Sequence, residues 1–111
     1  MEKTYAFRNI HISFRKASYM DGRLAIMVIS EPGTEEEEEY TDLTVNLYID
    51  DELDPDCAFL HVNHIPNDLM VLLEKEKIFS YTGRSVRSGF VTYPECRFDK
   101  EWLDSLLPLD S

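Results

Sequence analysis

The chain has 111 residues, 43% of them apolar, and carries 22 Asp plus Glu against 11 Lys plus Arg, a formal net charge of −11. That is enough for one domain (residues 1–111) with a proper core, whereas the charge argues against direct binding of nucleic acid or of an anionic membrane, whose phosphates are repelled over ~8 Å. No apolar run approaches the ~20 residues of a membrane span, Met1-Glu2-Lys3-Thr4 begins no secretory leader, and Cys57 and Cys96 read as reduced thiols of a cytoplasmic protein.

Tyr5 and Phe7 open the chain as a strand, Arg8-Asn9 makes a tight turn, and Ile10, Ile12 and Phe14 share one face of a second strand. Asp21-Gly22 is a hairpin signal of type I′, which needs φ > 0 at both central residues. Leu24 to Ile29 follows as an almost continuous apolar strand, stopped by Pro32-Gly33. The run Glu35 to Glu39 forms the next loop. From Tyr40 to Ile49, Leu43, Val45, Leu47 and Ile49 alternate with polar or amphipathic residues, the period of a half-buried strand.

Phe59 to Ile65 reads as another strand. Pro66-Asn67-Asp68 marks a helix start, with Asn67 or Asp68 expected to accept the orphan N–H groups of the first turn. Leu69, Leu72 and Leu73 supply its apolar face, and Lys75 and Lys77 suit the negative end of its dipole. Tyr81 to Gly89 reads as a loop, and Phe90 to Tyr93 as a short strand ended by Pro94. Asp99 caps a last helical turn or two bearing Trp102, Leu103, Leu106 and Leu107, stopped by Pro108. The fold class is therefore α+β: an antiparallel sheet of about five or six strands, one packed helix and a short C-terminal helix.

Charge is distributed unevenly along this framework. Residues 24–74 contain no Lys or Arg and fourteen acids, while the segments on either side are basic or balanced. Two clusters hold most of those acids. One is Glu31 with Glu35, Glu36, Glu37, Glu38 and Glu39; the other is Asp50, Asp51, Glu52, Asp54 and Asp56. A continuous strand between them, about nine residues at ~3.3 Å each, would set the clusters roughly 30 Å apart.

The stretch Gly83-Arg84-Ser85-Val86-Arg87-Ser88-Gly89-Phe90-Val91-Thr92-Tyr93-Pro94, followed by Arg97-Phe98-Asp99 and preceded by Leu43-Thr44-Val45-Asn46-Leu47, resembles a family of small uncharacterised proteins of bacterial conjugative elements, plasmids and phages. The resemblance covers most of the chain and carries no established activity. It implies a habitat in which small acidic proteins often inhibit host defence, CRISPR effectors included, whose nucleic acid lies in basic channels. The Glu run and the Asp-rich loop depart from the family pattern.

Two functions follow from the clusters. In the first, they imitate phosphates and occupy the basic nucleic-acid groove of a Cas nuclease or similar target, an anti-CRISPR action; Tyr40 and Tyr48, flanking the clusters, are then partly exposed interface anchors. In the second, the chain is a structural or regulatory interaction module of a mobile element, and its acidic loops serve solubility alone. Arg84 and Arg87, between Gly83 and Gly89, offer either a weak anion site or internal ion pairs. A gel shift with nucleic-acid probes is expected to be negative.

Cys57, His61, His64 and Cys96 lack zinc-site spacing, and on a strand His61 and His64 point to opposite faces. No nucleophile elbow, HExxH or kinase signature occurs. The expectation is a non-catalytic protein without metal or cofactor, its oligomeric state open.

Overall fold

The structure, a computed structural model, describes residues 2–50 and 52–109. Its first hairpin joins β1 (Tyr5–Phe7) to β2 (Ile10–Ser18) across Arg8-Asn9. Both turn residues have positive φ, 49° and 67°, as a two-residue type I′ connection requires. The second hairpin, from β2 to β3 (Leu24–Ser30), is not of the expected type. Tyr19 N–H donates to Arg23 O at 2.9 Å and Gly22 N–H to Tyr19 O at 2.8 Å, and only Gly22 has positive φ, at 89°. This is the three-residue loop in which a left-handed glycine follows an ordinary turn. Asp21 keeps a normal φ and instead accepts the Arg23 N–H at 3.0 Å.

β4 (Glu38–Asp42) pairs with the far side of β3, so the Glu run is partly strand rather than loop. A bulge there sets Val28 opposite Thr41 and Ile29 opposite Glu39, leaving Tyr40 as the extra residue. The expected strand from Tyr40 to Ile49 does not continue. Leu43 donates its N–H to Ile26 O and accepts from His61 N–H, each at 2.9 Å, and so passes the chain from one sheet to the other. After it β5 (Thr44–Val45) pairs with β6 (Cys57–Leu60), and residues 46–50 and 52–53 form a strap without regular structure. The strand expected over Phe59 to Ile65 ends at Leu60, because His61 to Ile65 turn into the helix.

That helix, α1 (Asn67–Lys75), takes no side-chain cap at its start. Pro66 occupies the cap position, and Asp68 turns to Arg8. At its end Ile78 N–H reaches Leu73 O and Lys77 N–H reaches Glu74 O, both at 3.2 Å, with Lys77 at φ 54°. This is a Schellman close with lysine where glycine is usual, and its apolar contact is the buried pair Ile78 and Leu73.

β7 (Phe79–Ser88) and β8 (Val91–Phe98) then form a long hairpin. The loop expected over Tyr81 to Gly89 is therefore a strand. As the outermost strand of its sheet it is exposed at most positions, which removes the apolar alternation that marks a half-buried strand. Pro94 does not end β8. It falls at the irregularity between Tyr81 and Ser85 and just past Glu95, the last residue paired with β6, where a missing N–H is tolerated. Asp99 caps α2 (Lys100–Ser105) as expected, accepting Trp102 N–H at 3.0 Å. β9 (Leu107–Pro108) returns to lie parallel to β2.

The class is α+β, and the strands divide into two sheets, β1-β2-β3-β4 with β9 on β2, and β5-β6-β8-β7. Their facing sides and both helices enclose the main core. Phe14, Ile12, Ile26 and Val28 come from the first sheet, Leu60, Cys96 and Phe98 from the second, and Leu69, Leu73 and Leu103 from the helices. Trp102 stacks on Phe98 and donates its indole N–H to Tyr5 at 3.2 Å. On the other side of the second sheet a smaller cluster, Leu47, Phe59 and Tyr93, is covered by the strap through Ile49 and Leu53. Among the described residues no helix is long and apolar enough to cross a membrane.

Candidate functional site

The two acidic clusters lie on different sheets, and basic residues distant in sequence reach into both. In the first cluster Arg15 is the organiser. It lies on the side of β2 opposite the core, with its side chain only 13% exposed, and grips Glu2 through Nε and Nη2 at 3.0 Å. The same guanidinium donates to Glu37 at 2.8 and 3.2 Å, and Gly33 N–H reaches Glu37 at 2.8 Å. These hydrogen bonds, Arg15 foremost, hold the Glu37 carboxyl down to about 2. They lower Glu2 in the same way against an opposing effect of burial, and they raise Arg15. Glu31 is also occupied, accepting His11 N–H at 2.9 Å. The loop before β4 is therefore docked on the first sheet.

Glu37 is held by Arg15, whereas Glu35, Glu36, Glu38 and Glu39 are exposed without such a partner, and Asp42 joins them at the end of β4. Among the described residues none of the five makes an ion pair. β4 pairs on one side only, so Glu38, Glu39 and Asp42 lie on an open sheet edge, with Glu35 and Glu36 on the turn that leads into it. Tyr40 is 38% exposed and tied back: its ring meets the edge of Phe7, and its hydroxyl accepts from Arg8 at 3.3 Å. Arg8 in turn binds Asp68 through two nitrogens.

The second cluster sits on the strap and the turn after it. Arg23 donates to Leu47 O at 2.7 Å and Ile49 O at 3.2 Å, and Asn46 reaches Asp21 at 3.0 Å, which fixes the strap to the second hairpin. Arg97 binds Asp54 and Asp56 at 2.7 Å each, so one guanidinium offsets half of the charge of these two carboxylates. Asp50 and Glu52 are exposed, as is Tyr48; Asp51 lies outside the described residues. The continuous strand expected to hold the clusters as opposite poles is replaced by the Leu43 crossing and the irregular strap.

Arg84 and Arg87 belong to β7 rather than to a glycine-rich loop. Arg84 approaches the largely buried Glu95 at 3.8 Å, and Thr82 donates to the same carboxylate at 2.7 Å. Arg87 is exposed and donates to Gly89 O at 3.2 Å across the hairpin turn. This arrangement matches the internal-pairing alternative for Arg84 and leaves Arg87 at the surface.

Cys57 and Cys96 are both free and buried. The pairing of Ala58 with Cys96 sends the two thiols to opposite sides of the sheet. Burial pushes Cys57 up to about 11 and Cys96 to about 12, away from the thiolate that a metal or a nucleophile requires. The donors that do converge are Asp54, Asp56 and Cys57, within 4.8 Å of one another, but Arg97 already supplies the positive charge there. His61 and His64 are not on opposite faces, since the chain turns between them and their rings lie 4.1 Å apart. Burial, together with the neighbouring His64 charge, lowers the pKa of His61.

Sequence reasoning missed the exposed apolar residues Met20 and Phe90. The visible signal was position: each sits in a hairpin loop that contains a turn glycine, Gly22 or Gly89.

The chain belongs to the family described as a domain of unknown function, DUF4313, which residues 14–109 match. No curated protein and no solved structure matches it.

Proposed function

We propose that this protein is a non-catalytic acidic inhibitor that occupies the basic nucleic-acid groove of a bacterial defence effector, a Cas nuclease being the first candidate. The reading includes action in the host cytoplasm and carriage on a mobile element. The observation that carries it is the open edge of β4 with the turn before it, where Glu35, Glu36, Glu38, Glu39 and Asp42 are exposed and unneutralised while Glu37 anchors the loop to Arg15. A docked array of carboxylates meets a cationic groove with less ordering cost than a floppy acidic tail would. Asp50, Glu52 and Tyr48 form a secondary contact; Asp54 and Asp56, held by Arg97, contribute little.

The test separates the anchor from the array. Replacing Glu35, Glu36, Glu38 and Glu39 with glutamine is expected to weaken binding to a purified Cas effector by well over tenfold, with an almost unchanged melting temperature. Wild-type binding should also weaken strongly between about 0.1 and 0.5 M salt, as screening shortens the reach of exposed charges. Full inhibition by the four-glutamine variant would remove the β4 edge from the mechanism.

A further inference from the structure

We propose that the open border of β7 is a docking edge for an extended acidic segment of a partner protein, which adds itself as a fifth strand of the second sheet.

The backbone offers the bonds. β7 spans ten residues and pairs on one side only. Its hairpin closes through the two-residue turn Gly89-Phe90, with φ 64° at the glycine, so Ser88 and Val91 exchange both of their backbone hydrogen bonds. Antiparallel alternation then bonds Val86 to Tyr93 and leaves Ser85 and Arg87 with N–H and C=O directed away from β8. Past the irregularity Tyr81 and Phe79 face outward in the same way, since Asp99 N–H reaches Ile78 O at 2.9 Å and makes Ser80 and Arg97 the adjoining bonded pair. The other borders offer less. β1 has three residues and β5 two, while β4 is bulged and lined with carboxylates, both of which turn strands away.

The side chains along this border select for acid. From Phe79 to Pro94 the chain has no carboxylate. Val86 packs toward Leu47, Phe59 and Tyr93 on the strap side of the sheet, so Ser85 and Arg87, its neighbours in the alternation, lie on the other face, away from the strap's acids. Arg87 is exposed and engages only its Nε, on Gly89 O. At the other end of the border a cavity of about 580 Å³ opens beside Phe79 and Tyr81, whose rings meet edge to face at 5.2 Å. The charges lining it balance, Lys77, Arg97 and Lys100 against Asp56, Glu74 and Asp99. They are not equally free. Arg97 and Asp56 bind each other, and Asp99 accepts Trp102 N–H. Lys77 and Lys100 are exposed and, among the described residues, make no ion pair, which leaves two uncommitted cations to one uncommitted acid, Glu74.

Strand addition draws affinity from main-chain hydrogen bonds and selectivity from the side chains that flank them. Here Arg87 flanks one end and Lys77 with Lys100 the other. The chain as a whole carries −11, but screening over ~8 Å lets the nearest charges decide. A segment with carboxylates at alternate positions sets them all on one face, where they meet these cations while their methylene stems cover the exposed ring of Tyr81.

The probe is an end-blocked, dye-labelled octapeptide of alternating Glu and Val, titrated with the full chain up to about 1 mM and read by fluorescence anisotropy. It is expected to bind, and its Gln–Val counterpart at least tenfold more weakly. Arg87→Glu and Lys100→Glu should each weaken binding at least tenfold without lowering the melting temperature. Amide hydrogen exchange at Ser85 and Arg87 should slow at least tenfold with peptide, while Val86 and Ser88, already bonded to β8, stay unchanged. Absence of binding by about 1 mM, equal binding of the Gln–Val peptide, or binding that leaves exchange at Ser85 and Arg87 unaltered would each overturn the proposal. So would slowing at these two amides with rising protein concentration and no peptide, because a second copy would then be the occupant.

Discussion

Leu47→Ala probes how the strap carrying Tyr48, Asp50 and Glu52 is held. The strap has no strand partner after Val45, and its attachment rests on apolar contact with Phe59 and Tyr93 and on Arg23 gripping two of its carbonyls. Leu47 is 9% exposed. Truncation to alanine removes three carbon groups at about 0.8 kcal/mol each, roughly 2.4 kcal/mol. The irregular strap settles into the space, so the added cavity cost stays small. A loss of ~2.4 kcal/mol makes local opening about fifty-fold more frequent. A glutamate-specific protease reads this directly, because cleavage of a transiently open segment tracks its open population when reclosing is fast. Cutting after Glu52 should accelerate about fifty-fold, while cutting within Glu35 to Glu39, docked on the other sheet by Arg15, should not. Equal acceleration at both sites would show that the loss is global. An unchanged rate at Glu52 would show that Leu47 does not hold the strap, and either result refutes the reasoning.

Three further outcomes are expected. Lys77→Gly should stabilise the fold by about 0.5–1 kcal/mol in urea titration, because the left-handed φ of 54° strains an L side chain and suits glycine; destabilisation would mean that the lysine side chain has a role beyond the helix end. His61 sits below its ordinary 6.5 through burial, so the unfolded chain binds more protons near that pH than the folded one. Stability should therefore be full above about pH 6.5 and fall as pH drops through and below it, a dependence that His61→Asn should reduce. Cys57 and Cys96, buried and with raised pKa values, should resist thiol reagents at neutral pH in the native state and react once the chain is denatured.

The fold was legible wherever one face of an element is buried and the other is wet. Ile10, Ile12 and Phe14 and Leu69 with Leu73 announced themselves by period, Leu24 to Ile29 by its unbroken apolar run, and Asp99 by its place before the final helix. β7 was not legible because an outermost strand has little to bury. The turn types escaped for a different reason. Both hairpins carry residues that tolerate positive φ, and the number of residues between the last paired positions decides the geometry. At the candidate site the excess of acid was visible, but its internal neutralisation was not. Arg15 meets Glu37 across 22 positions and Arg97 meets Asp54 across 43, distances at which a charge count along the chain carries no information.

The parallel pairing of β9 with β2 bears on how the molecule is made. Leu107 lies against Arg15, and Leu109 N–H bonds Lys16 O, so β2 completes this border only with a segment that is synthesised after all the other strands of both sheets. Until then half of one border of β2 stays bare, with unsatisfied amides open to a neighbouring nascent chain. A protein assembled in this order gains from fast translation through residues 19–106 and from chaperone shelter during it.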